Sequence, residues 1–207
     1  AEEAGRLREE LEGRRPDSAA LIQADLTDTA ALPGLVDQAC GCFGGLDVLI
    51  NNASSFYPTP LGTVTEAHWT DLVGSNLKAP LFLSQAALPR LRDAGGVIVN
   101  IIDVHSSHPL RDHPVYGPAK AGLAMLTRSL AKDLAPDVRV NGVSPGAILW
   151  PENDMPDDTK AAILKQVPLA RPGDPEDIAG AVLFLVRDAT YVTGQVIAVD
   201  GGRSIGW

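Results

Sequence analysis

Short runs rich in Val and Ile, separated by longer stretches whose apolar residues recur at helical spacing, constrain this chain more than any other feature. The runs occupy residues 19–24, 47–51, 96–103, 138–143 and 195–200, and are apolar nearly throughout, as in Val97-Ile98-Val99-Asn100-Ile101-Ile102. A strand without a polar face needs cover on both sides, which points to an α/β sandwich of three layers with a mainly parallel sheet. Helices are expected over 29–43, 65–93, 115–135 and 175–188. In the third, Leu123, Leu126, Leu130 and Leu134 share one face while Arg128, Lys132 and Asp133 point elsewhere. Asp28, Thr65 and Asp174 stand where N-caps are wanted. With 207 residues, 45% of them hydrophobic, the chain can bury a core without disulfides or metal. No repeat or low-complexity linker divides it, so residues 1–207 read as one domain and the Pro/Gly-containing stretch 144–158 as a site loop. Right-handed crossovers make such a sheet doubly wound, with ligands beyond the carboxyl ends of its strands.

Charge narrows the partners. Seventeen basic against 26 acidic residues give a formal charge of -9, which argues against nucleic acid or an anionic membrane as a general partner. The longest nearly uncharged apolar run in the helical segments, 179–186, is far shorter than the roughly 20 residues that a membrane span needs. Residues 1–15 are charged and helix-favouring, without the apolar stretch of a secretory signal, and the cytoplasm is the expected location. Cys40 and Cys42 lie on an expected helix without Cys or His companions at metal spacing, so they read as buried or partly buried free thiols. His105, His108 and His113 fall in a proline-containing loop with no carboxylate pair to complete a metal site, and no metal and no role are assigned to them.

Chemistry concentrates between Asp103 and Lys120. Tyr116 and Lys120 are one helical turn apart on the same face. An ammonium beside a phenol favours the phenolate, which lowers the Tyr pKa from near 10 toward a range useful for proton transfer. That suits Tyr116 as general acid and Lys120 as its tuner. Alone, the spacing is weak, because both residue types are ordinary on a half-exposed helix.

Further segments agree in order and spacing. They are Asp47-Val-Leu-Ile-Asn-Asn-Ala, Gly74-Ser-Asn76-Leu, Tyr116-Gly-Pro-Ala-Lys120, Val138-Arg-Val-Asn-Gly-Val-Ser-Pro-Gly146 and Asp200-Gly-Gly. In these the chain resembles the short-chain dehydrogenase/reductase family from the middle of that family's second helix to its C-terminus. The resemblance implies a Rossmann-like sandwich, a nicotinamide cofactor, a homotetramer, and Asn76 holding a structural water near the catalytic Lys120. It also implies cofactor contacts from Asp25, Leu26, Asn52, Ala53, Ser54, Tyr116, Lys120, Pro145, Gly146, Ala147 and Ile148. By itself Asp25 reads equally well as a helix N-terminal cap.

Two departures from the family pattern fall where substrate is expected. Asp103 stands where the family usually has Ser, and Ser54-Ser-Phe56-Tyr-Pro-Thr-Pro-Leu61 follows Asn-Asn-Ala where it usually has Gly. Both are features of pteridine reductases, and the likeness continues through Trp150, Met155 and Lys165-Gln-Val-Pro-Leu169. That subfamily resemblance implies NADPH and a pterin or folate substrate contacted by Ser54, Phe56, Asp103, Tyr116, Leu149 and Trp150. A pterin accepts hydride at a carbon of a C=N bond and a proton at the adjoining nitrogen, so a carboxylate bonded to Tyr116 can relay or orient that proton. Phe56 offers a flat surface for the ring, although a core Phe and a turn Ser are equally ordinary readings of Phe56 and Ser54.

The strand, glycine-rich turn and second strand with which the resembled family begins are not found in these residues. Gly41, Gly44 and Gly45 precede a strand instead of opening a helix after one. The expected fold therefore lacks the first βαβ portion, and the chain is expected to be a piece of an active enzyme. Two alternatives stand beside pterin reduction: a reductase of a carbonyl such as a 3-oxoacyl group, and a non-catalytic interaction module.

Overall fold

The computed structural model describes residues 2–149 and 156–205. The elements run α1 (Glu2–Arg14), α2 (Leu32–Phe43), β1 (Val48–Asn51), α3 (Glu66–Val73), a π-helical turn (Gly74–Lys78), α4 (Ala79–Ala94), β2 (Val97–Ile101), α5 (Tyr116–Leu134), β3 (Arg139–Pro145), α6 (Asp157–Leu164), α7 (Pro175–Arg187) and β4 (Val196–Val199). The strands pair in parallel in the order β1-β2-β3-β4. Asn51 lies opposite Asn100, and Asn100 opposite Gly142, so the carboxyl ends of three strands finish side by side.

Both faces of the sheet are covered, as the uniformly apolar strands require. On one face Val36 and Cys40 of α2, Ala87 and Leu91 of α4 and Ala131 and Leu134 of α5 pack with Ile98 and Val140. On the other, Leu185 and its α7 neighbours pack on Val97, Val99 and Val143. The leucine stripe of α5 faces inward as its spacing predicts, while Arg128, Lys132 and Asp133 are exposed. Gly95 ends α4 in the left-handed region, where a side chain is strained, and its N–H closes the last turn on Leu91 and Arg92.

Four expectations need correction. Residues 19–24 form no strand: they run beside no ladder partner among the described residues, and an apolar run becomes a strand only when a neighbour takes its backbone hydrogen bonds. The helix expected over 65–93 is interrupted by the π turn at Gly74–Lys78. Pro80 has no N–H to donate to the carbonyl one turn back at Asn76, and its ring crowds that carbonyl, so the chain widens there. Asp28 does not cap α2, which begins at Leu32; its carboxylate accepts from the Ala30 N–H in the turn before. Cys42 is exposed, whereas Cys40 is buried. Thr65 does cap α3, in a reciprocal box with His68, and at α7 the Asp177 carboxylate accepts from the Asp174 N–H.

Two polar devices hold the layers in place. In the core, Asn51 donates to Asn100 at 2.8 Å, Asn100 to Thr127 at 2.9 Å, and Thr127 to the Leu123 carbonyl at 2.8 Å. This ties β1 and β2 to α5 with each buried amide satisfied. On the other face Arg139 of β3 donates to the carbonyls of Leu185, Val186 and Ala189 at 2.8, 3.1 and 3.0 Å. A cation at the negative end of α7 thus takes up carbonyls that the helix cannot satisfy itself. Replacing Arg139 with Met is expected to cost about 2–3 kcal/mol, the scale of hydrogen bonds to a charged group, and urea unfolding of the two proteins measures it.

Candidate active site

Asp103 follows β2 in the chain, and Tyr116 opens α5. The Tyr116 hydroxyl donates to the Asp103 carboxylate at 2.8 Å. The other carboxylate oxygen accepts from the His105 N–H at 2.8 Å, which fixes the side chain from behind. Lys120 lies one turn further along α5, and its Nζ donates to the Ile101 carbonyl at 3.0 Å and sits 5.8 Å from the centre of the Tyr116 ring. Tyr116 and Lys120 are both buried. Leu123 takes the next inward position of α5 and packs in the core with Ile102.

Electrostatics depart from the sequence expectation at one point. Burial first, and then the Asp103 carboxylate, push the Tyr116 phenol above its ordinary range, not below it. Lys120 has its hydrogen bond on a backbone carbonyl, whereas Asp103 touches the phenol directly. Tyr116 is therefore a firmly held proton. Lys120 is moved the other way: burial lowers it to about 8, with Asp103 opposing.

The 52–57 segment after β1 closes the site from the side. Phe56 lies edge-on to Tyr116, with ring centres 4.8 Å apart, and stacks on His113 at 4.9 Å and 16°. Asn76 sits fully buried in the π turn, which aims it inward: it accepts from the Ser54 hydroxyl at 2.6 Å and donates to the carbonyls of Ser55 and Leu72, each at 2.9 Å. Its side chain thus hangs the 54–55 backbone on the helix.

The structure brings Asp103, Tyr116, Lys120, Phe56, Ser54 and Asn76 into one cluster. Asn52, Pro145, Ile148 and Leu149 line a separate apolar cleft of about 740 Å³ on the α7 side, at the carboxyl ends of β1 and β3. Gly146 lets the turn after β3 pass close to β4, since a Cβ there would stand 2.6 Å from the Asp200 Cα. Ala147 accepts from the Gly173 N–H at 2.9 Å, which holds this turn against the chain before α7. Ala53 is exposed at the end of β1. Asp25 bonds the Thr27 backbone and hydroxyl at 2.9 and 2.7 Å, and the Thr27 methyl comes within 3.6 Å of where a Gly74 Cβ would lie. Asp25 and Leu26 thus immediately precede a residue that lies against the start of the π turn. Trp150 and Met155 lie outside the described residues.

Sequence reasoning gave no role to His113, Ser55, Tyr57 or Asp71. For His113 a signal existed: it stands three residues before Tyr116, and the Gly117 N–H reaches its carbonyl at 3.3 Å, so the turn entering α5 brings the two together. The others meet across more than a dozen residues, which no local pattern reveals.

Flat apolar walls, strand-end backbone and a buried amine fit a nicotinamide nucleotide. Among the described residues no group of three His, Cys, Asp or Glu could hold a metal, and no helix is long and apolar enough to cross a membrane.

The depressed Lys120 has a consequence for stability. Its charged form is disfavoured in the folded chain, so a penalty applies in full below pH 8 and is relieved between about pH 8 and its ordinary 10.5, where the unfolded chain binds more protons. Over about pH 7–10, thermal unfolding of Lys120→Met should lack the rise in relative stability that the parent shows; parallel curves would remove this account.

Comparison with known proteins agrees with the geometry. The family described as enoyl-(acyl carrier protein) reductase matches residues 1–204. Pteridine reductase 1 of Leishmania tarentolae is 39% identical, across 99% of this chain and 85% of its own length. The 3-oxoacyl-(acyl-carrier-protein) reductase FabG of Staphylococcus aureus is 38% identical, across 97% and 83%. A crystal structure assigned as a short-chain alcohol dehydrogenase from Sinorhizobium meliloti 1021 superposes with a TM-score of 0.92 at 34% identity, covering 98% of this chain and 82% of that one. With a phenol, an amine and strand-end turns arranged as an oxidoreductase of this kind needs, and with relatives alike over nearly its whole length, the chain belongs to the short-chain dehydrogenase/reductase family.

Proposed function

We propose that this reductase site acts on a pterin or folate ring, taking a dihydropterin or dihydrofolate to the tetrahydro form with NADPH. The observation that carries the reading is the carboxylate of Asp103 bonded to Tyr116 beside the Phe56 ring. A carbonyl substrate needs one proton donor and a neutral hydrogen bond to its oxygen. A C=N bond within a flat heterocycle is better served by a carboxylate that orients the phenol proton and by an aromatic platform. The likeness to a pteridine reductase supports the same reading.

When bound, the nicotinamide supplies the hydride for a ring carbon. Asn52, Ala53, Pro145, Gly146, Ala147 and Ile148 would hold the cofactor, with Asp25 and Leu26 toward its adenosine. Tyr116 delivers its proton to the adjoining ring nitrogen. Because burial and the Asp103 carboxylate both disfavour a phenolate, Tyr116 gives up its proton only as the ring nitrogen takes it, with Asp103 orienting the phenol, which is reprotonated from solvent before the next turnover. Lys120 holds the β2 carbonyl and brings a positive charge near the ring while it remains protonated. Ser54 and Phe56 position the substrate, with Leu149 as a further contact.

Tyr116→Phe is expected to lower kcat at least about 100-fold, the scale of general acid catalysis, with NADPH binding within about two-fold when followed by fluorescence. Asp103→Ser should reduce kcat/KM for dihydrobiopterin much more than for a 3-oxoacyl thioester. Equal losses on both substrates would withdraw the pterin reading. FabG is nearly as similar to this chain, and 3-oxoacyl reduction is the second reading. It predicts that Asp103→Ser improves thioester turnover and that the parent protein ignores the pterin.

A further inference from the structure

The place of Phe56 is set by the residues on either side of it. Ser55 donates its hydroxyl to one oxygen of Asp71 at 3.1 Å, and Tyr57 donates its hydroxyl to the other at 2.9 Å. One carboxylate on α3 therefore grips the positions immediately before and after Phe56. In an extended run, alternate side chains point to opposite sides. With Ser55 and Tyr57 drawn toward α3, Phe56 is turned toward Tyr116 and His113, where its ring contacts lie. Asp71 is itself coupled to the next turn: its carbonyl accepts from the Ser75 hydroxyl at 2.8 Å, and Ser75 in turn accepts from the Ser55 N–H at 3.3 Å. His68, one turn before, meets the Tyr57 ring edge-on at 5.9 Å.

We propose that Asp71 is a positioning residue that sets the angle and height of the Phe56 ring and so determines how well the site accepts flat heteroaromatic substrates. The proposal rests on the reading of Phe56 as a stacking platform. A half-exposed ring on a loop has several rotamers open to it, and each unproductive one lowers affinity by the fraction of molecules that adopt it. Holding the side chains on both sides narrows that choice before substrate arrives, which is preorganisation without contact. The same clamp should be indifferent to a flexible acyclic ketone, which gains little from a ring face.

The test compares three variants of the chain with the parent. These are Ser55→Ala/Tyr57→Phe, which releases the clamp while keeping Asp71; Asp71→Asn, which keeps the shape and loses the charge; and Phe56→Ala, which removes the platform. KM and kcat are measured for dihydrobiopterin and for a 3-oxoacyl thioester, with amide hydrogen exchange over 52–58 as a structural reading. Loss of two hydrogen bonds predicts a roughly ten-fold rise in pterin KM for the double variant and a smaller rise for Asp71→Asn. For the double variant and for Asp71→Asn, pterin kcat and both thioester constants should stay within about two-fold, and exchange should quicken only in the 52–58 segment. Equal changes for both substrates, or faster exchange with an unchanged pterin KM, would overturn the assignment of Asp71. If Phe56→Ala leaves the pterin KM unchanged, the platform itself is wrong and the proposal falls with it. If Phe56→Ala raises KM and the clamp variants do not, only the role of Asp71 is lost.

Discussion

Tyr116 donates a hydrogen bond to Asp103 inside a largely buried site, and the rest of the molecule is arranged so that this bond forms at the end of the sheet. The bond spans two elements. Its acceptor follows β2, its donor begins α5, and their separation depends on how α5 lies against the sheet. Asn100 and Thr127, bonded at 2.9 Å deep in the same layer, fix that relation, and Asn51 extends it to β1. Leaving one of these buried amides unpaired would cost about 1–3 kcal/mol, more than a typical bond contributes net, so the three residues hold as a unit.

The charges of the site follow from burial more than from proximity. Spacing alone has Lys120 drawing the phenol toward ionisation, yet desolvation and an adjacent carboxylate act on Tyr116 in the opposite sense. Lys120 bears a similar desolvation, and its lowered value places its charge within reach of mildly alkaline conditions. A phenol that keeps its proton, touching a carboxylate, is suited to passing a proton along and poorly suited to resting as a phenolate. On the proposed pterin reading, that proton would go to a ring nitrogen.

A second layer of control lies away from the reacting groups. The π turn at Gly74–Lys78 points Asn76 into the interior, where it suspends the segment that carries Ser54 and Phe56. Asp71 acts on the same segment from α3. The side wall of the site is thus built by one irregular helix, and Pro80, which forces the irregularity, has a visible part in shaping it.

Much of this was legible in the residues. Uniformly apolar runs such as 97–102 required cover on both faces, the leucine stripe of α5 required one inward side, and the four-residue step from Tyr116 to Lys120 required a shared face; these are local periodicities, which the chain carries wherever it is placed. Tertiary structure alone decided three things. It left 19–24 without a ladder among the described residues, because a strand depends on a neighbour that its own residues cannot supply. It reversed the expected shift of Tyr116, because burial and the approach of Asp103 are set by packing between elements. It also joined Asp71 to Ser55 and Tyr57 and stacked His113 on Phe56, contacts between side chains whose meeting is fixed by the path of the backbone through space and not by their order along it.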